Sequence, residues 1–149
     1  MRFETILAAG ASLLTLSSAR IVGIAVPETI KPGDTFNAII IVEDYIQSVY
    51  DVAIAFGIAP AAGYPGSLGT PITSGYLGPA QSNVLQNITY AMSMPASTAT
   101  GQAKFAAALF SLYGAVSDPT ITSFNVSVTI GDSTSTNLVS NNGFSSVSV

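Results

Sequence analysis

The stretch TFNAIIIVEDYIQSVYDVAIAF, residues 35–56, decides the fold class. Apolar side chains recur at every second position in residues 35–43 and again in residues 50–56. A period of two is typical of β-strands and not of helices. The polar connection between them, residues 44–49, is long enough to cross between two packed sheets, about 10 Å apart. The stretch therefore predicts two consecutive strands in opposite sheets.

The same period continues outward from this stretch in both directions. Turn signals such as KPGD at residues 31–34 separate the runs. The seven predicted strands are 21–26, 35–43, 50–56, 72–77, 84–94, 102–113 and 122–130. Seven short strands predict an all-β fold, a single immunoglobulin-like antiparallel β-sandwich. The chain contains no cysteine, so no disulfide is expected in it.

Residues 102–113 are the ambiguous member of this set. The segment QAKFAAALFSLY contains apolar residues at helical spacing and three consecutive alanines. On its own it resembles a helix, because residues three and four apart share a helix face. In a chain that otherwise alternates throughout, we predict a strand buried on both faces.

The two ends of the chain differ in composition from its centre. Residues 1–19 predict a secretory signal peptide, with Arg2 before a short apolar run and small residues before the cleavage point. Residues 20–131 are the predicted sandwich domain. Residues 132–149 are rich in Ser, Thr and Asn, and we predict a flexible tail. No stretch is long and apolar enough to predict a membrane span.

Two sequons agree with secretion. Asn87 and Asn125 each begin an Asn-X-Ser/Thr triplet, and each alternates with a predicted core residue. Both side chains should therefore face solvent, where a glycan can be attached.

The composition limits the kinds of partner, metal site and catalytic site that the chain can have. Only 8% of the residues are charged and the net charge is −4, whereas nucleic-acid binding needs clustered Lys and Arg. The chain has no histidine and no cysteine, so the usual ligands of zinc and copper and the usual base for a serine nucleophile are missing from the sequence. We expect no cofactor, and we do not expect an enzyme.

The candidate site is a cluster of acids around the connection 44–49. Glu43, Asp44 and Tyr45 begin it, Asp51 follows it, and Asp118 should reach the same end of the sandwich from the loop before the last strand. Paired carboxylates could serve glycoside hydrolysis, but they would need a cleft beside them. Four acids could also bind calcium, or only keep strand ends soluble. We favour a recognition surface with Tyr45 as an apolar anchor.

Six segments in order carry a family resemblance: PETIKPGDTF, DYIQSVYDVAIAFG, YLGP, NITY, ALFSLYGA and FNVSVTIGDSTST. Together they cover nearly the whole chain after the signal segment. With them, the chain resembles the necrosis-inducing secreted protein family of fungal plant-pathogen effectors.

This resemblance implies a function and partners. It implies a secreted effector that suppresses pattern-triggered immunity, binds and inhibits a plant immune co-receptor kinase and a receptor-like cytoplasmic kinase, and in some members induces cell death. Kinase domains are cytosolic, so the protein would act outside the fungus and then in the host cytoplasm. We expect a monomer. The alternative is a non-catalytic extracellular module that binds wall polysaccharide or shields the fungus.

Overall fold

The computed structural model describes residues 18–149, which form ten strands and one short helix. The predicted signal segment lies outside the described residues, except that Ser18 and Ala19 begin the first strand. The elements in chain order are β1 (Ser18–Pro27), β2 (Thr29–Ile30), β3 (Thr35–Tyr45), β4 (Val49–Pro60), β5 (Thr70–Tyr76), α1 (Gly78–Gln81), β6 (Ile88–Ser93), β7 (Gly101–Tyr113), β8 (Asp118–Ile130), β9 (Leu138–Ser140) and β10 (Phe144–Ser148).

The strands form two sheets packed as a sandwich. The smaller sheet has the order β6-β3-β1-β9, and the larger has the order β10-β8-β7-β4-β5, with β2 pairing parallel to β8. The chain therefore crosses from one sheet to the other between β3 and β4, as the sequence predicts. The immunoglobulin-like sandwich is confirmed. All seven predicted strands are present, and the structure adds three short strands that were not predicted, β2, β9 and β10.

The core lies between the sheets and follows the alternation. Ile40 on β3, Ile54 on β4, and Val126 and Val128 on β8 are all buried, as predicted. Phe36, Phe56 and Phe105 fill the centre, with ring centroids 6.0–6.1 Å apart between Phe105 and each of the other two. Aromatic rings at this distance add attraction beyond the area that they bury.

The ambiguous segment is a strand, as predicted, but it is not buried on both faces: Ala108 and Phe110 on its outer face are partly exposed. β7 is a central strand that pairs with β4 on one side and β8 on the other. Phe105, Ala107 and Leu109 face the core and are fully buried. Tertiary pairing on both sides outweighs the local helical preference of its alanines.

The tail does not match the sequence prediction. Residues 138–140 pair with β1 in the smaller sheet, and residues 144–148 pair with β8 in the larger one. The side chain of Asn141 lies between these two strands, and its Oδ1 accepts a hydrogen bond of 2.7 Å from the backbone N–H of Ile24. The sandwich thus extends past the predicted boundary at residue 131. Composition favoured a flexible tail, but polar residues suit exposed edge strands equally well.

The only helix in residues 18–149 is α1, four residues long, and it is far too short to cross a membrane. It joins the edge strand of the larger sheet to the edge strand of the smaller one.

Candidate functional site

Two connections meet at one end of the sandwich, as the sequence predicts. The β3–β4 connection, residues 46–48, contacts the β7–β8 turn, residues 114–117, through a hydrogen bond of 2.9 Å from the Gly114 N–H to the Ser48 carbonyl. We call this region the Tyr45 end: the two connections with the adjoining residues Glu43, Asp44, Tyr45 and Asp118.

Tyr45 is held in a stack of charged and aromatic side chains. The guanidinium carbon of Arg20 lies 4.4 Å from the centroid of the Tyr45 ring, and Tyr113 meets that ring edge to face at 6.1 Å. Arg20 is fixed in turn by Glu43, whose Oε1 accepts hydrogen bonds of 3.0 Å from Nε and 2.7 Å from Nη2. This stack restricts the rotamers that the Tyr45 side chain can adopt.

The pair of Arg20 and Glu43 changes the electrostatics of the Tyr45 end. The two residues lie opposite each other on β1 and β3, and they form the only ion pair within 4.0 Å among residues 18–149. Glu43 is therefore neutralised by its neighbour, whereas the exposed carboxylate of Asp44 is not part of that pair. Arg20 was not among the predicted site residues, because its partner Glu43 is 23 residues away along the chain.

Asp51 does not belong to this surface, contrary to the sequence prediction. Its side chain is 1% exposed and lies inside the sandwich, where the Ser111 hydroxyl donates a hydrogen bond of 2.6 Å to Oδ1. The cause is a β-bulge: the pairing of β4 with β7 shifts between Asp51 and Ala53, so the extra residue, Val52, reverses the alternation. In a strand without a bulge, Asp51 would alternate with Ile54 and Phe56 and face outward, as the sequence predicts.

Burial raises the pKa of Asp51 above that of an ordinary carboxyl group, and the hydrogen bond from Ser111 opposes part of this rise. The folded state therefore holds the proton more tightly than the unfolded chain. It follows that the contribution of Asp51 to stability is greatest at low pH and is lost as the pH rises through the folded pKa.

Asp118 lies where the sequence analysis placed it, at the start of β8 and exposed. Its register partner is Tyr113, the residue that packs on Tyr45, and its Oδ2 accepts a hydrogen bond of 2.9 Å from Ser148 in the tail. Of the five predicted partner residues, the structure thus brings four together at the surface and buries the fifth.

Two apolar side chains at the Tyr45 end were missed by the sequence analysis. Ile46 on one connection is 94% exposed, and Val116 on the other is 88% exposed. Aliphatic residues look like core positions in a sequence, and only their place in turns marks them as external. Exposed apolar groups next to unpaired carboxylates are suited to recognition.

One of the four acids that could have bound calcium is not available at the surface, because the side chain of Asp51 faces the core. Within residues 18–149, no group of three or more acidic side chains is close enough together to hold a metal ion.

Both sequons are on the surface, as predicted. Asn125 is exposed in the middle of β8, between the buried Phe124 and Val126. Asn87 is exposed just before β6, and its Oδ1 accepts a hydrogen bond of 2.9 Å from the Val42 N–H, which leaves the amide nitrogen available. Glycosylation itself stays a prediction.

Comparison with known proteins agrees with the resemblance carried by the six segments. The profile of the Nis1 family matches residues 17–129. A protein of Colletotrichum orbiculare named Necrosis-inducing secreted protein 1 is 58% identical over 140 residues, which cover 93% of this chain and 86% of the relative. A protein of the same name from Colletotrichum higginsianum is 54% identical over 136 residues, covering 91% of this chain and 94% of the relative. With matches of this length and identity, the chain belongs to the Nis1 family.

Proposed function

We propose that this protein is a secreted, non-enzymatic effector that binds plant immune kinases through the Tyr45 end and so suppresses immune signalling. The two relatives are named as secreted and necrosis-inducing, and this chain shares more than half of its aligned residues with each. The kinase partners follow from the family resemblance: a co-receptor kinase and a receptor-like cytoplasmic kinase. Secretion, entry into the host cytoplasm and induction of necrosis are part of the same proposal.

The observation that carries the choice of surface is the exposure of Ile46 and Val116 on adjoining connections. An isolated exposed aliphatic residue is ordinary, but two on connections that contact each other, beside a pre-oriented tyrosine, form the apolar centre of a patch. Asp44 precedes Ile46 by two residues, Asp118 follows Val116 by two, and both are exposed. The complementary partner surface is an apolar depression with a basic rim.

The carboxylates and Tyr45 should affect different rate constants of binding, the carboxylates the association rate and Tyr45 the dissociation rate. Rim carboxylates mainly steer the encounter, so Asp44→Asn should slow association and flatten its salt dependence. Glu43→Gln should matter less to steering, since Glu43 is already paired with Arg20. Buried anchors govern dissociation, so Tyr45→Ala should shorten the lifetime of the complex.

The test of the function is a pull-down of the protein, lacking residues 1–17, against the two kinase domains and against insoluble glucans. Capture by kinase domains, with a loss of kinase activity that scales with occupancy, supports the proposal. Capture by glucan alone would favour the wall-binding alternative and would end the kinase assignment.

A further inference from the structure

The outer face of the larger sheet contains a region of apolar and small polar side chains without a charge, and Lys104 and Asn125 lie at its border. The pairing registers align its outward residues in rows that run across the strands. The first of these, which we call the bulky row, consists of Val147, Ile121, Phe110, Ala53 and Tyr76. The next, which we call the small row, consists of Ser145, Ser123, Ala108, Ala55 and Ser74.

The outward direction of these side chains follows from burial along each strand. On β7, Phe110 and Ala108 are partly exposed, whereas Leu109 and Ser111 beside them are fully buried. On β8, Ile121 is partly exposed and Thr122 is buried. The two rows therefore face away from the core, and neither contains an ionisable acid or base other than the phenol of Tyr76.

The face has a relief with two levels. In the bulky row, the large side chains of Phe110 and Ile121 project from the two central strands. The small row beside it has no side chain larger than serine. A depression of about 360 Å³ lies over this low region, bordered on one side by Ile121 and on the other by the loop 62–68, and Lys104 also lines it. Successive rows on one face of a strand are two residues apart, or roughly 7 Å.

We propose that this face binds a second copy of the chain as a symmetric, face-to-face dimer. A two-fold axis that lies in the interface, parallel to the rows and midway between them, places the bulky row of each copy over the small row of the other. Phe110 of one copy then packs against Ala108 of the second copy. An isologous interface needs such self-complementarity, and adjacent high and low rows supply it.

The absence of charge in the two rows permits this occupant, and the area of the face sets the strength of the dimer. The net charge of −4 resides outside the two rows, so two copies can meet without desolvating a carboxylate or an ammonium group. Five strands about 4.8 Å apart and about 20 Å of strand length, which includes the neighbouring outward residues beside the two rows, give roughly 400–500 Å² of face per copy. The total is near the lower limit of specific interfaces, so the dimer should be weak and depend on concentration. A basic partner would gain nothing from a face without carboxylates.

The test is sedimentation velocity over a hundredfold range of concentration, on protein lacking residues 1–17 and made in bacteria to avoid a glycan at Asn125, which borders the depression. Wild type should shift from monomer to dimer. Ala108→Lys should weaken association at least tenfold, because it buries a charge at the centre of the interface. Ala91→Lys, which makes the same charge change on an exposed position of β6 in the other sheet, should associate as wild type does.

A second variant keeps the proposal testable if Ala108→Lys does not fold. Val147 is exposed at the edge of the bulky row, so Val147→Lys should keep the fold and also weaken the dimer. Wild type that stays monomeric throughout, or equal association of Ala108→Lys and Ala91→Lys, would overturn the proposal. A monomeric wild type whose kinase binding is lost on Ala108→Lys would assign the face to a host partner instead, and would also overturn it.

Discussion

Asn141 is the residue through which the C-terminal segment is fastened to β1. Its Oδ1 accepts the Ile24 N–H at 2.7 Å, and its Nδ2 donates to the carbonyls of Gly143 at 3.0 Å and Val22 at 3.4 Å. Gly23 makes room for this contact, since a Cβ there would lie 2.5 Å from Oδ1. Asn141→Ala removes all three hydrogen bonds and leaves a backbone donor without its acceptor.

The cost follows from the burial of that donor. Ile24 is fully buried and the hydrogen bond is partly buried, so water can replace the lost acceptor only in part. An orphaned buried group costs about 1–3 kcal/mol. For a domain of this size, the melting temperature should fall by roughly 3–15 °C.

Urea denaturation followed by circular dichroism measures the effect, and the neighbouring Asn142→Ala is the control. Asn142 is exposed, and no hydrogen bond of its side chain is seen among residues 18–149. Its removal should change the free energy of unfolding by less than about 0.5 kcal/mol. The reasoning is refuted if Asn141→Ala and Asn142→Ala unfold at the same urea concentration as wild type.

Three further predictions concern the core, the buried acid and the sequons. Ile54→Ala should cost about 2–5 kcal/mol by creating a core cavity, whereas truncating the exposed Ile46 in the same way should leave the urea midpoint unchanged. Asp51→Asn should remove a pH dependence: as the pH rises from about 4 to 7, wild type should lose stability relative to the variant, and parallel curves would contradict the burial of a titrating carboxyl. On secretion from a eukaryotic host, Ser127→Ala should reduce the mass by one glycan at Asn125, and an unchanged mass would mean that this sequon is not used.

The sequence predicted those features that depend on alternation alone. The sandwich, the crossing between β3 and β4, and the burial of Ile40 and Val126 all follow from period-two patterns in which one face must leave water. The convergence of the connections at the Tyr45 end followed from that topology. Even the helix-like segment 102–113 could be assigned correctly, because its neighbours were strands.

The features that could not be predicted depend on pairing between distant parts of the chain. The bulge at Val52 arises from the register of β4 against β7, and it moved Asp51 from the surface into the core. The contact of Arg20 with Glu43 joins residues on different strands. It compensates the charge of Glu43, one of the two adjacent acids Glu43 and Asp44 that have no basic neighbour in the sequence. The tail forms strands that pair with β1 and β8, and Asn141 adds a hydrogen bond to β1; the polar composition of the tail reveals neither.

The central claim is that the Tyr45 end holds the partner through Ile46 and Val116. The most direct measurement is the dissociation rate of the protein from an immobilised kinase domain, for wild type, for Ile46→Ser with Val116→Ser, and for Leu138→Ser. Leu138 is an exposed aliphatic residue that pairs with Pro27 at the opposite end of the sandwich, so it is the matched control. We predict dissociation at least tenfold faster for the Ile46 and Val116 variant, and a wild-type rate for Leu138→Ser. Equal rates for all three proteins would contradict the account.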